Sequence, residues 1–287
     1  MGMSFFTSDL HGRPGRYETL LDRIRAEKPA GVFLGGDLLP HVMDLSWRRE
    51  GDSSDFVESY LAPRFRNLKQ EMGTDYPHLF LILGNDDPFV FASGLEAGER
   101  EGLWSYVHGR SETFGKFVVY GYNCVPPTPF QLKDWERFDV SRFTDPGCTA
   151  PDEGTRTDDM TDRELRLATI RQDLAELTGD TDLSSAILLF HSPPYQTKLD
   201  LADLAGKFVD HAPLDPHVGS IAIKELIQNR QPLLSLHGHV HESPVLSGTW
   251  RETIGTTHSF CGAHSGPELA LIRFDPTDLS AADREII

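Results

Sequence analysis

The sequence is poor in cysteine. Cys124, Cys148 and Cys261 lie far apart with no paired spacing, which excludes a disulfide framework and a thiolate metal knuckle and fits a reducing compartment. Basic residues are scarce too: 27 Lys and Arg stand against 44 Asp and Glu, for a formal charge of -17. That excludes a broad nucleic-acid surface, which would need many cationic contacts to phosphates. An anionic ligand must therefore be attracted locally, as bound cations can do within an acidic protein. Long apolar runs are also missing. None approaches a membrane span or a signal-peptide core, and the first strand begins at Met3, so the expectation is a cytoplasmic protein. There is no internal repeat, heptad, low-complexity tract or clear domain boundary.

What the sequence does contain is a set of short apolar runs that each stop at small residues and a polar group. Val32 to Leu34 ends in Gly35-Gly36-Asp37, as expected where a buried strand stops and aims one acid at a site. Four other runs behave alike: Met3 to Thr7 into Ser8-Asp9-Leu10-His11-Gly12, Leu79 to Leu83 into Gly84-Asn85-Asp86-Asp87, Ile187 to Phe190 into His191, and Leu233 to Leu236 into His237-Gly238-His239-Val240-His241. Asp, Asn and His delivered from separate strand ends suit a borderline divalent cation, with no thiolate placed for zinc.

Between the runs, Gly15 to Glu27 carries Tyr17, Leu20, Leu21 and Ile24 on one helical face. Phe56 to Met72 reads as a second helix, and Thr161 with Glu164 forms a capping box ahead of a helical face that runs from Leu165 to Leu177. Ile221 to Gln228 is a short helix. Phe114 to Tyr122 reads as one strand, 88–109 has only weak periodicity, and Val245 to Phe274 reads as antiparallel strands. Strands alternating with helices predict an α/β fold with a largely parallel sheet, whose ligands collect beyond the carboxyl ends of the strands. The expectation is one domain over 1–287 with an insertion at about 125–159. That stretch holds Pro126, Pro127, Pro129 and Pro146 among Trp135, Phe138 and Phe143; it reads either as a flap over the site or as an excursion packed on the core.

The ordered set Asp-x-His, Gly-Asp, Gly-Asn, strand-end His and Gly-His-x-His, spanning Asp9 to His241, resembles the calcineurin-like metallophosphoesterase superfamily. The resemblance implies a two-sheet sandwich flanked by helices and a centre of two divalent metal ions (Mn, Fe, Zn or Ni). One ion would take Asp9, His11 and His241, the other Asn85, His191 and His239, and Asp37 would bridge them. The implied activity is hydrolysis of a small-molecule phosphodiester or activated phosphomonoester by in-line attack of a metal-bridging hydroxide. Asp37, Asn85 and Asp86 would form the catalytic set.

One position departs from the family pattern: Asp86 stands where the family carries a histidine able to protonate the leaving oxygen. A carboxyl beside two cations is a poor acid, so Asp86 reads as an acceptor near the metals, with a substitute donor sought elsewhere. His41 and His264 are the candidates by loop position, each with a surface or packing role as the alternative. His237 reads as a core residue that orients a ligand. Asn123, Arg142, Tyr195 and Lys198 are expected substrate contacts. A non-catalytic binding module on the same fold is the competing expectation.

Overall fold

The computed structural model describes residues 2–41 and 56–287. In chain order the first half contains β1 (Ser4–Thr7), α1 (Pro14–Glu27), β2 (Gly31–Gly35), α2 (Ala62–Met72), β3 (His78–Ile82), α3 (Ala92–Arg100), β4 (Ser105–Tyr106), β5 (Ser111–Phe114) and β6 (Phe117–Tyr122). Then come α4 (Asp162–Leu167), α5 (Ile170–Thr178), β7 (Ala186–Phe190), β8 (Phe208–Val209), β9 (Ala212–Pro213), α6 (Ile221–Arg230), β10 (Leu234–His237) and α7 (Ser243–Leu246). The chain closes with β11 (Arg251–Ile254), β12 (Thr257–Cys261), β13 (Ala270–Asp275) and β14 (Asp278–Ile286).

Two six-stranded mixed sheets form the centre, in the orders β14-β13-β1-β2-β3-β4 and β11-β12-β10-β7-β6-β5, with helices on their outer faces. Within each, four consecutive strands are parallel and the remaining ones are antiparallel. Alternation along β1 to β3 explains the layers. Phe6, Phe33 and Phe80 pack with Ile187, Leu189, Leu236 and Phe260 between the sheets, while Phe5, Val32, Leu34 and Leu81 face helix residues Tyr17, Leu20 and Ile24. Both faces of these strands are buried, so they read as unbroken apolar runs rather than alternating ones. Phe33 stacks on Phe80 with centroids 5.1 Å apart and meets Phe114 and Phe274 at 5.6 Å each.

Several sequence expectations change. The run from Phe114 to Tyr122 is the second half of a hairpin: Phe114 pairs with Phe117 across Gly115-Lys116, and Gly115 (φ 62°) supplies the positive φ of a two-residue turn. The single helix expected to Leu177 is two. Thr169 leaves the helical path and its side chain accepts from Gln172 N, capping α5, while Ile170 N donates to Phe138 O. Leu167, expected on the buried face, is therefore 61% exposed. The last segment is not wholly antiparallel, since β12 pairs parallel with β10. The second helix is preceded by a π turn over Val57–Leu61, next to Pro63, which has no amide proton to continue the α pattern. Among the described residues no helix is long and apolar enough to cross a membrane.

The stretch 125–159 has no helix or long strand, yet it is pinned. Asp134, fully buried, accepts from Thr157 N (2.6 Å) and from Phe89 N (2.7 Å). Lys133 and Glu136, also fully buried, pair at 2.6 Å, and Glu136 accepts from Thr128 N and Oγ1. Trp135 packs edge-on against His108 with centroids 4.9 Å apart.

Candidate metal centre

The carboxyl ends of β1, β2 and β3 in one sheet and of β7 and β10 in the other meet at one seam. The loop after β1 runs beside the loop after β2: Asp9 N donates to Gly36 O (2.9 Å), His11 N to Asp37 O (2.8 Å) and Gly12 N to Leu38 O (2.8 Å). From the second sheet, His191 Nδ1 donates to Gly35 O at 2.8 Å. His239 N donates to Asp9 Oδ1 at 3.0 Å. These close approaches require absent side chains: a Cβ on Gly238 would stand 2.6 Å from Asp9 Oδ2, and one on Gly84 would collide with Asp37 and His191. Asp9 (φ 57°), His11 (φ 48°), Asp37 (φ 50°) and His239 (φ 71°) all hold left-handed backbone. Asp and His are among the non-glycine types that enter this region most often, and such strain clusters at functional sites.

Asp9, His11, Asp37 and His241 each place one donor atom within 4.8 Å of all the others, a group able to hold a metal ion. His241 Nε2 lies 3.2 Å from Asp9 Oδ1 and 3.1 Å from His11 Nε2. On the other side of Asp37, His191 Nε2 lies 3.3 Å from Asp37 Oδ2, and the rings of His191 and His239 stand 5.2 Å apart. Asn85 is buried, and its Oδ1 has no hydrogen-bond partner.

Hydrogen bonding tests whether cations fit. A carbonyl only accepts, so His191 Nδ1 carries the proton and the neutral ring turns the Nε2 lone pair toward the Asp37 carboxylate. Two acceptors then face each other in a buried place, a conflict that either a proton or a cation resolves. Without a cation, the proton wins: burial pushes the His191 pKa down, but the charge of Asp37 and its hydrogen bond outweigh it and raise the pKa to about 9. His11 behaves alike, raised to about 9 against burial by its hydrogen bond to Asp86 and the charges of Asp37 and Asp9. Burial opposes ionisation of Asp9, yet the His241 hydrogen bond and charge bring its pKa to about 2; Asp37 is likewise held well below the carboxylate range despite burial, chiefly by His191. Burial and the charge of His191 push His239 down to about 3, leaving a neutral imidazole suited to a metal. The buried lone pair of His191, the unpartnered Asn85 oxygen and the all-oxygen-and-imidazole donor set fit divalent ions.

Asp86 does not point away from this group. Its backbone N donates to Asp37 Oδ1 (2.9 Å), and its carboxylate lies 3.3 Å from His11 Nδ1. A carboxylate on one ring nitrogen fixes which nitrogen faces a metal. His237 is fully buried, and its Nδ1 donates to Ser192 O at 2.8 Å, just beyond His191.

Each expected substrate contact has partners of its own. Asn123 is fully buried; its Oδ1 accepts from Leu83 N and its Nδ2 donates to Tyr106 Oη, so it ties β3 to β6. Arg142 faces Asp152 at 3.7 Å in a cleft of about 480 Å³ lined by residues 138–153, none of them in the metal group. Tyr195 Oη donates to Asp215 at 2.6 Å, and Lys198 bonds through its backbone to Glu252 and Ser243. His264 meets Glu268 at 3.2 Å.

Sequence reasoning missed Arg16 and the part played by Asp87. The Arg16 guanidinium, 4% exposed, donates to the carbonyls of Asp9, His264, Gly266 and Pro267, tying the first metal-facing loop to the last glycine-rich one. Nothing in the sequence separates it from the solvated arginines of α1. Asp87 is fully buried and accepts from Leu38 N (3.0 Å), Leu39 N (2.7 Å) and Gly84 N (2.9 Å), bolting the β2 loop to the β3 loop. Burial and the Asp37 charge raise its pKa to about 7. Its adjacency to Asn85-Asp86 was the only available signal.

Comparison with known proteins bears on the fold and the family. No curated protein matches the chain. Among solved structures, TT1561 of Thermus thermophilus is 17% identical, with 99% of this chain and 98% of that chain covered and a TM-score of 0.59. A dimetal phosphatase from Danio rerio is 11% identical, with 95% and 91% covered and a TM-score of 0.50. At such identities the likeness is one of fold. Residues 5–243 match the family described as calcineurin-like phosphoesterase, and the chain belongs to that family.

Proposed function

We propose that this chain is a dinuclear metal-dependent phosphoesterase acting on a small phosphodiester or an activated phosphomonoester. The observation that carries the proposal is the cluster at the seam of the sheets, with Asp37 standing between His11 and His191. Asp9, His11 and His241 would hold one ion, Asn85, His191 and His239 the other, and Asp37 both. When bound, two divalent cations activate water and neutralise phosphate oxygens.

The chain's own residues supply order. Gly35 O and Asp86 turn the rings of His191 and His11 so that Nε2 faces inward. Asp87 and Arg16 hold the loops of Asp37 and Asp9 in place, which limits the reorganisation needed when charge develops. Tyr195 and Lys198, on the exit from His191, are the proposed contacts for the organic part. We take 1–287 as one domain, with 125–159 an insertion that borders the site. Its buried Lys133–Glu136 pair and Asp134 anchor favour a fixed rim over a mobile flap.

A cytoplasmic, manganese-using diesterase is the version to test first. Metal-stripped protein reloaded with Mn²⁺ should hydrolyse bis(p-nitrophenyl) phosphate, and Asp37→Asn should abolish turnover. The Asp at position 86 favours one rival, a binding module without catalysis. Tight metal retention with no turnover of any phosphoester would decide for that rival.

A further inference from the structure

A phosphoesterase without the motif histidine still needs a proton for any leaving group poorer than a nitrophenolate. The structure offers a donor from the neighbouring loop. His41 Nε2 lies 3.7 Å from Asp86 Oδ1, while Asp86 Oδ2 faces His11. That is an ion-pair distance, longer than a hydrogen bond. The juxtaposition is built in, because Asp87, next to Asp86, bonds Leu38 N and Leu39 N, just ahead of Pro40-His41. The same loop is held from below by Tyr17 Oη and Gly12 N, both donating to Leu38 O. Exposure rises outward from the metal group: side-chain accessibility is 5% for Asp37, 28% for Asp86 and 61% for His41. His41 thus stands on the solvent side, where a leaving alcohol would depart.

We propose that His41, oriented by Asp86, protonates the leaving-group oxygen. The histidine and the motif-position group have in effect divided the work, with the carboxylate on the Asn85 loop and the imidazole on the Asp37 loop. This inference rests on the phosphoesterase activity proposed above. In the step, the oxygen of water bonds to phosphorus as the ester P–O bond breaks. The electron pair of that bond goes to the leaving oxygen, which takes the imidazolium proton and departs as the alcohol. The attacking water releases one proton to solvent, and the neutral His41 regains one from solvent, so the net reaction is diester plus water to monoester plus alcohol.

The test uses the Mn²⁺-loaded full chain and a series of aryl phosphodiesters graded from p-nitrophenyl to unsubstituted phenyl. In His41→Gln the loss should grow along the series and reach about 10²-fold for the phenyl ester, at the low end of general-acid effects. Asp86→Asn should steepen the leaving-group dependence in the same direction. Equal losses along the whole series, or none, would overturn the assignment of His41 and leave the phosphoesterase intact. If wild type hydrolyses no ester in the series, the phosphoesterase proposal fails and this one falls with it.

Discussion

Adding one methyl group at Gly84 should separate the two halves of the metal site. The residue follows β3, and its backbone is not in the left-handed region, so an alanine there brings no strain of its own. The effect would be purely steric. A Cβ would stand 2.5 Å from His191 Nε2 and 2.6 Å from Asp37 N, and would overlap Asp37 Oδ1. Backbone and buried ligands are poor at yielding, so overpacking should cost about 1–3 kcal/mol of stability without metal. Displacing ligand orientation typically weakens metal affinity by about 10- to 100-fold. Each factor of ten is about 1.4 kcal/mol, so the stabilisation gained on adding a fixed excess of Mn²⁺ should shrink by roughly 1.4–2.8 kcal/mol. Urea unfolding with and without Mn²⁺ measures both quantities, and metal analysis after gel filtration checks occupancy. Gly15→Ala is the control, since a Cβ there meets nothing within 4 Å. Gly36 would be a poorer choice, because its φ of 94° adds backbone strain to the clash with His191. A folded Gly84→Ala protein with wild-type Mn²⁺ stabilisation would refute the placement of Asp37 and His191 around one ion.

Two further perturbations probe the frame. Glu27 takes a bidentate pair of bonds from Arg273 (2.7 and 2.8 Å), and this hydrogen bonding lowers its pKa. A depressed carboxylate stabilises the fold above its unfolded pKa and loses that contribution as pH falls through the lower folded value. Glu27→Gln should therefore cost about 1 kcal/mol at neutral pH and nearly nothing in strong acid, by urea melts at the two pH values; an equal cost at both would contradict the linkage. Lys133→Met leaves Glu136 buried without its cation, which should cost about 3–5 kcal/mol, or open the insertion to protease first. Replacing both partners with apolar residues should recover most of that loss; if the double variant is no better than the single, the pair is not the source of the cost.

Legibility followed the physics of each element. The buried strands and the polar groups at their ends were readable because parallel strands covered on both faces are continuous apolar runs. The stretch 88–109 was not, because the buried face of α3 is made of Ala92, Gly94, Leu95 and Gly98, and Gly98 gives its space to Trp104. A helix that packs with glycines carries little hydrophobic periodicity. Gly115 and Thr169 each divided an apparently continuous element, since one turn or one cap outweighs several apolar residues of the right spacing. At the site, Asp9, His11, Asp37 and His241, which the structure brings together, stand in the sequence pattern, whereas Arg16 was invisible: its importance lies in four carbonyls brought to it by long-range packing.

The position of the site on the seam makes it sensitive to how the two sheets meet. His191 belongs to the second sheet, yet its ring is set by Gly35 O of the first; Asp9 belongs to the first sheet, yet it accepts from His239 N of the second. The group of Asp9, His11, Asp37 and His241 draws on loops of both sheets. The left-handed backbone at Asp9, His11, Asp37 and His239 costs on the order of 1–3 kcal/mol per residue, and only surroundings that over-determine those turns can keep it. The bonds of Asp9 N to Gly36 O, of His11 N to Asp37 O and of His239 N to Asp9 supply that constraint at the turns, while Phe33, Phe80, Phe114 and Phe274 pack the two sheets together. Truncating Phe33 to alanine would therefore act on metal binding through the spacing of the sheets, with the loss of packing as its cause.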